Sequence, residues 1–303
     1  MPNPNAKPFL KWAGGKRKLF DSYLPFFPTQ FQKYFEPFVG GGAVFFHIAQ
    51  KFNFKKCYIF DINEELILTY KVVKKDVNIL IKILKTLESE FLKLNMKERE
   101  CFYYAVRDEF NENKANLNFN RYNSNNWIER AAQIIFLNKT CFNGLFRVNS
   151  KGEFNVPFGK YKNPTILNKD NLKKASRILR NTQLKIGDFT ECEKFINNHT
   201  FVYLDPPYRP LNQTSSFTSY SKTNFSEDDQ IRLAEFYKTL NAKGAKLMLS
   251  NSDPKNEKPD DNFLDQLYSD FKIERVPARR AINCNGEKRG AISELIITNY
   301  NIG

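Results

Sequence analysis

The order of elements between residues 33 and 61 constrains this fold more than any other stretch of the chain. Lys33–Phe38 reads as a strand running into Val39-Gly40-Gly41-Gly42. An apolar helical pattern follows from Ala43 to about Ala49, and Cys57–Phe60 is a second short apolar strand ending at Asp61. Strand, glycine turn, helix, strand and acid, in that order, build the first unit of a doubly wound α/β sheet. Glycines at the head of a helix let a ligand approach the backbone. An acid about 20 residues further on can bind ribose hydroxyls. The glycine spacing is not G-x-G-x-x-G, which weighs against a dinucleotide. An ordinary glycine turn followed by a chance acid is the competing reading.

The pattern then changes. Apolar residues recur at helical spacing in Ile67–Val73, Val77–Leu87 and Phe102–Phe110, without strand alternation. Asn111–Asn126 is polar and Asn-rich, as a loop would be, and Trp127–Cys141 is helical again. Phe142–Pro164, rich in Gly, Asn, Pro and aromatics, is expected to be an irregular loop with room for a hairpin. Afterwards the α/β alternation resumes. Helices are expected at Leu172–Leu179, Asp228–Leu240 and Phe263–Leu267, and strands at Leu184–Ile186, Phe201–Leu204, Lys246–Leu249, Phe271–Val276 and Ile292–Tyr300. No repeat of solenoid period is present. The expected fold class is α/β: a doubly wound, Rossmann-like sheet from residues 1–65 and 167–303, split by a mostly helical insertion at 66–166.

Phe201-Val202-Tyr203-Leu204-Asp205-Pro206-Pro207-Tyr208 carries the clearest chemistry. A four-residue apolar run suits a buried parallel strand, and two prolines at its end stop the ladder and stiffen the turn. Asp205 and Tyr208 then stand at the carboxyl edge of the sheet, where such folds bind ligands. A rigid carboxylate beside an aromatic ring suits a planar base with an exocyclic amine. Asp205 and the carbonyl of Pro206 can each accept an amine proton, and Tyr208 can stack on the ring. Accepting both protons draws the nitrogen out of conjugation and exposes its lone pair. A proline turn with a surface tyrosine is the plain alternative.

The remaining composition narrows the field. With 47 basic and 33 acidic residues the net charge is +14, which favours a polyanionic partner, although a Lys- and Asn-rich bias also follows from A·T-rich coding. The five cysteines are scattered without a C-x-x-C pair, so neither a zinc site nor a disulfide framework is expected, and no metal is assigned. His47 and His199 are the only histidines, which excludes much hydrolase chemistry. No apolar run approaches a membrane span and Met1–Phe20 lacks a secretory pattern, so a cytoplasmic protein without a membrane partner is expected. Nothing in the sequence calls for an obligate protein partner.

Two basic stretches stand out. Lys11-Trp12-Ala13-Gly14-Gly15-Lys16-Arg17 lacks the spacing of a phosphate loop. Its tryptophan could meet a cofactor or a DNA phosphate, or the stretch could be a solvated basic terminus. The loop Asn138–Tyr161 gathers Lys139, Arg147, Lys151, Lys160, aromatics and amides. Arg reading guanine, Asn reading adenine and Lys anchoring phosphate are the common DNA contacts. A solvated connecting loop is the alternative. Arg279-Arg280 with Lys288-Arg289-Gly290 is a third basic segment, compatible with a DNA cleft or a charged hairpin.

With these residues assembled, the sequence resembles the Dam-type family of DNA adenine-N6 methyltransferases. Four segments carry the resemblance in order: Lys11–Lys16, Phe35–Gly42, Phe142-Asn143-Gly144-Leu145-Phe146-Arg147 leading to Gly152–Gly159, and Asp205–Tyr208. It runs nearly end to end. It implies S-adenosylmethionine as methyl donor, double-stranded DNA as substrate, base flipping and 5′-GATC-3′ as the site. It also implies roles: Trp12, Lys16, Asp61, Asp188 and Asp205 near the cofactor, and Asp205, Pro206, Pro207 and Tyr208 as the catalytic turn. Phe38, Gly40 and Gly42 belong to the cofactor turn. Lys11, Lys139, Phe142, Asn143, Leu145, Arg147 and Pro157 form the DNA-contacting set, with Arg147 on a guanine. The chain departs from the family pattern at Phe146 and Val148 beside Arg147 and at Cys141 before Phe142. The competing functions are an amine methyltransferase acting on cytosine N4, an RNA base or a glutamine, an inactive DNA-binding relative, and an NAD enzyme.

Overall fold

The computed structural model describes residues 5–12, 14–119, 121–208, 225–278 and 292–302. The basic segment Arg279–Gly290 lies outside the described residues. Strands β1 (Lys33–Glu36), β2 (Lys56–Asp61), β3 (Thr182–Ile186), β4 (Thr200–Leu204), β5 (Lys246–Ser252), β6 (Lys272–Ala278) and β7 (Ile292–Thr298) form one sheet in the order β3-β2-β1-β4-β5-β7-β6. β1, β2, β3, β4 and β5 run parallel, and β7 lies antiparallel between β5 and β6. The chain winds outward from β1 through β2 to β3, then returns to β4 on the other side of β1. That reversal opens a crevice at the carboxyl ends of β1 and β4, the place where an open α/β sheet binds ligands.

The strands alternate between two cores, because successive side chains of a strand point to opposite faces. Phe35, Val202, Leu204, Leu247 and Leu249 pack into one core with Leu233, Tyr237 and Leu240 of helix α8 (Glu227–Ala242) and Leu264 of α9 (Phe263–Leu267). Tyr34, Phe201, Tyr203 and Met248 face the other core. There they meet α2 (Ala43–Lys51), α3 (Glu64–Lys75) and α7 (Lys169–Leu179), after a short α1 (Phe20–Tyr23) near the N-terminus. The α/β class and the helical segment between β2 and β3 therefore agree with the sequence reading.

That helical segment continues with α4 (Val77–Lys93), α5 (Met96–Glu112) and α6 (Ser124–Thr140). Its apolar side chains join the sheet's core without a break, through α3 and α7. A buried ion pair adds to the junction. Arg130 of α6 donates from Nε to Glu65 Oε2 of α3 at 3.0 Å, and its guanidinium also bonds the Phe110 carbonyl and covers the Phe110 ring.

Several element ends differ from the sequence expectation, each for a local reason. β1 stops at Glu36 rather than Phe38, because Pro37 has no N–H for the ladder. α3 begins at Glu64, where the Asn63 side chain accepts from Leu66 N at 3.0 Å. α5 begins with a capping box of Asn95 and Glu98, and ends only at Glu112. A 3-10 turn at Asn113–Asn116 and the early start of α6 at Ser124 shorten the expected Asn111–Asn126 loop. In the Phe142–Pro164 loop the hairpin is real but minimal, with antiparallel bridges only at Cys141 with Phe158 and Val148 with Phe154. Among the described residues no helix is long and apolar enough to cross a membrane.

Candidate active site

The glycine turn leaves β1 at the edge of the crevice. Gly42 N bonds the Val39 carbonyl at 2.7 Å, and Gly40 and Gly42 take φ of +46° and +74°. Those conformations favour glycine. Space demands glycine too: a Cβ on Gly40 would lie 2.9 Å from Cδ1 of Trp12, and one on Gly42 would collide with the Tyr70 hydroxyl. Asp61, at the end of the adjacent β2, supports the turn from below. Its Oδ2 accepts from Gly40 N at 3.0 Å and its Oδ1 from Asn63 N at 2.9 Å. Burial raises this carboxyl to about 6. The Phe38 ring lies beside Phe189 and Phe225, with centroids at 5.4 and 5.9 Å.

The second lip is the turn after β4. All five residues of β4 are buried, and Asp205 and Pro206 follow at its carboxyl end. Asp205 Oδ1 lies 2.9 Å from Lys16 Nζ and accepts from Ser250 Oγ at 3.2 Å. Ser250 is itself paired with the Tyr203 hydroxyl at 2.7 Å. Both of these contacts fall on Oδ1, so among the described residues Oδ2 has no protein donor. Burial pushes the Asp205 carboxyl up, and Lys16 opposes that shift. Below the turn, the buried Gln230 donates to the Pro207 carbonyl at 3.2 Å and accepts from Asn251 Nδ2 at 3.3 Å.

Lys16 corrects the reading of its segment as a solvated basic terminus. Its side chain is 2% exposed. Burial alone would lower its pKa, but Asp205, Tyr208 and Glu294 outweigh burial and hold it above the ordinary lysine value. Glu294 Oε2 lies 3.6 Å from the ammonium and also accepts from the Tyr23 hydroxyl. The Tyr208 hydroxyl bonds Lys16 Nζ, and the ammonium stands 4.4 Å from the Tyr208 ring centroid. Sequence reading missed Glu294, Ser250, Tyr23 and Gln230. One signal was available: Glu294 is the only charged residue in the strand Ile292–Thr298.

The Asn138–Tyr161 loop approaches the same crevice from the helical side. Phe142 is 52% exposed, and its N–H is held by the Pro157 carbonyl at 2.8 Å. Asn143 has a φ of +56°, and its N–H donates to the Tyr161 hydroxyl at 3.0 Å. Arg147 Nε donates to Asn155 Oδ1 at 2.8 Å and Nη2 to the Asn155 carbonyl at 3.3 Å. The guanidinium is therefore pre-aimed, with Nη1 outside this clamp. Leu145 is partly buried and Phe146 is buried. The Phe146 ring stacks on Trp12, with centroids 5.4 Å apart and an interplanar angle of 21°. Lys139 is pushed down to about 8 by burial and by the nearby Lys11 charge.

Trp12, Gly40 and Asp61 thus lie on one lip, Lys16, Asp205 and Tyr208 on the other, and the Arg147 loop beside Trp12. Asp188 is set differently. It caps the turn Phe189–Phe195, and its two oxygens hold Arg232 at 2.8 and 3.1 Å. Among the described residues, no group of three or more His, Cys, Asp or Glu could hold a metal ion.

Comparison with known proteins gives the family. The family model of the D12 class N6 adenine-specific DNA methyltransferase matches residues 12–282. The chain is 53% identical to the Type II methyltransferase M.MjaIII of Methanocaldococcus jannaschii, over 97% of this chain and 99% of that protein. It is 35% identical to the DNA adenine methylase of Haemophilus influenzae, over 97% of this chain and 94% of that protein. With the DNA adenine methylase of Escherichia coli K12 it shares 32% identity, over 95% of this chain and 93% of that protein. The chain belongs to the D12 class of N6 adenine-specific DNA methyltransferases, and is a site-specific adenine DNA methyltransferase.

Proposed function

We propose that this enzyme transfers a methyl group from S-adenosylmethionine to adenine N6 in duplex DNA, at 5′-GATC-3′, on a base turned out of the stack. One observation carries the reading. The Gly40–Gly42 turn and the Asp205–Tyr208 turn face each other across the β1/β4 crevice, with Lys16 bound to Asp205. The residues present suit the cofactor. The glycine turn is closed against Trp12 so that no Cβ fits at Gly40, Asp61 offers a carboxylate for ribose hydroxyls, and Asp61, Asp205 and Glu294 outnumber the buried cation Lys16, which suits a positively charged group. S-adenosylmethionine, when bound, supplies a methyl group already activated on a sulfonium.

The chain's own residues handle the amine. Asp205 Oδ2 accepts one N6 proton and the Pro206 carbonyl the other, which localises the lone pair on nitrogen. Tyr208 covers the face of the base. Lys16 and Ser250 hold Oδ1, so the carboxylate cannot rotate away. On taking up a methyl group the amine nitrogen would become positive, and the Asp205 carboxylate is placed to take the proton it would shed. Alignment supplies much of the rate. A base inside a duplex is out of reach of this turn, hence the flipped geometry.

We assign target recognition to the helical segment 66–166, and cofactor binding and catalysis to 1–65 with 167–303. Phe142, Asn143, Leu145, Arg147 and Pro157 read or wedge the site, with Arg147 on a guanine and Lys11 and Lys139 on phosphates. The assignment of Asp188 to the cofactor adenine requires that its carboxylate accept a further donor beside Arg232. Labelled S-adenosylmethionine with unmethylated and adenine-methylated GATC duplexes tests the reading. Label should enter adenine in the first duplex alone. Label in cytosine, or equal labelling of a duplex lacking GATC, overturns it.

A further inference from the structure

The segment Lys11–Trp12 is pressed between the glycine turn and the Phe142–Phe158 loop. On one side a Cβ on Gly41 would lie 3.0 Å from Trp12 Cβ, so the turn and the tryptophan are in closest contact. On the other side the Trp12 ring stacks on Phe146, and any Cβ on Gly144 would collide with the Lys11 side chain. At the junction sits Asn138, in the last turn of α6 and 1% exposed. Its Oδ1 accepts from Lys11 N at 2.8 Å. Its Nδ2 donates both to the Lys11 carbonyl and to the Gly144 carbonyl, each at 2.9 Å.

This amide is spent on a link rather than on its own helix. Both of its donor hydrogens are used. It pairs with Lys11 as a neighbouring strand would, across 127 residues of sequence. The loop it holds is also conformationally costly, because Asn143 and Gly144 take consecutive positive φ values of +56° and +65°. A non-glycine residue in that region persists only where its surroundings over-determine it. The Gly144 carbonyl and the Lys11 backbone that leads into Trp12 are thus held by one side chain.

We propose that Asn138 is a positioning residue that couples target reading to the cofactor turn. Occupancy of the recognition loop by its DNA site then changes affinity at the Gly40–Gly42 turn, and by linkage the reverse. The inference rests on the site assignment above, that the turn holds the cofactor and the loop holds DNA.

The test measures S-adenosylhomocysteine affinity by calorimetry on the full chain, with no duplex, with a duplex carrying the sequence the enzyme is shown to methylate, and with a shuffled duplex. In the wild type the methylatable duplex should tighten binding by about 5-fold or more, within the usual range of coupling. In Asn138→Ala that ratio should fall to near one, whatever the affinity without DNA becomes, and the rate ratio between the two duplexes should shrink. An unchanged coupling ratio in Asn138→Ala, or no coupling in the wild type, overturns the inference. If Asn138→Ala does not fold, Phe146→Leu cuts the second link and is read in the same way. Trp12→Ala separates the underlying assignment: if S-adenosylhomocysteine binds that variant as tightly as the wild type without DNA, the cofactor turn has been misplaced, whatever Asn138 does.

Discussion

Lys16 Nζ lies 2.9 Å from Asp205 Oδ1, and the two residues are brought together from distant parts of the chain. The lysine is buried and shared with Glu294 and Tyr208, so the Asp205 carboxylate is held by a charge fixed in place. Lys16 and Ser250 both meet the same carboxylate oxygen, Oδ1.

Asp205→Ala is expected to abolish methyl transfer while leaving the fold intact, since Lys16 keeps Glu294 as a counter-charge. Asp205→Asn retains the shape and should lose about 10²–10³-fold in rate, the scale of one preorganised polar contact. Single-turnover label incorporation, with circular dichroism as the fold control, measures both. Near-normal turnover by Asp205→Ala sinks the mechanism.

Arg147→Ala should cost about 1–3 kcal/mol at one guanine and relax selection there. The clamp by Asn155 makes the loss local, because the guanidinium is oriented before DNA arrives. Rates on duplexes substituted one base pair at a time decide it. An equal loss on every sequence would mark Arg147 as a phosphate anchor.

Asp61 gives a pH dependence with a definite sign. Its carboxyl in the folded chain stands near 6, above its ordinary value of 3.8. Cofactor affinity should therefore fall about tenfold per pH unit below about 6, as the acceptor for ribose hydroxyls is protonated. For folding the sign is opposite. In that window the folded state binds more protons than the unfolded, so the contribution of Asp61 to stability falls as pH rises through it. Asp61→Asn should flatten the dependence of S-adenosylhomocysteine affinity on pH. A flat profile in the wild type refutes the role.

Lys139, pushed down to about 8, should lose its charge within an accessible range. If it anchors a phosphate, DNA affinity should weaken as pH rises from 7 to 9, and Lys139→Arg should remove that dependence. Lys139→Ala should lower the slope of log affinity against log salt by about 0.9. Fluorescence titration at several salt concentrations reads both, and an unchanged slope excludes the contact.

The buried Arg130–Glu65 pair joins the helical segment to the sheet side. Arg130→Leu should destabilise by about 3–5 kcal/mol, because Glu65 is left buried and unpaired. Removing both charges, Arg130→Leu with Glu65→Leu, should recover much of that loss. Denaturant melts of the two variants distinguish this from simple packing damage, in which case the double variant would be worse than either single one.

The sequence by itself determined the sheet, the helical interruption and the two turns that flank the crevice. Those features are local: glycines next to a strand, prolines that end a ladder, and apolar residues at period two or 3.6 all act on their immediate neighbours. Asp61 and Asp205 could be singled out for the same reason, since each ends its own strand. Only the tertiary structure decided how Lys16 behaves. Read locally it is one cation in a basic terminus, and it becomes a buried counter-ion only because β4 and β7 bring Asp205 and Glu294 to it. The same holds for Ser250, Gln230 and Asn138, whose partners lie 45, 23 and 127 residues away. Hydrogen bonds across such separations leave no periodic trace in a single sequence; they exist because the order β2-β1-β4-β5 closes distant segments around one crevice.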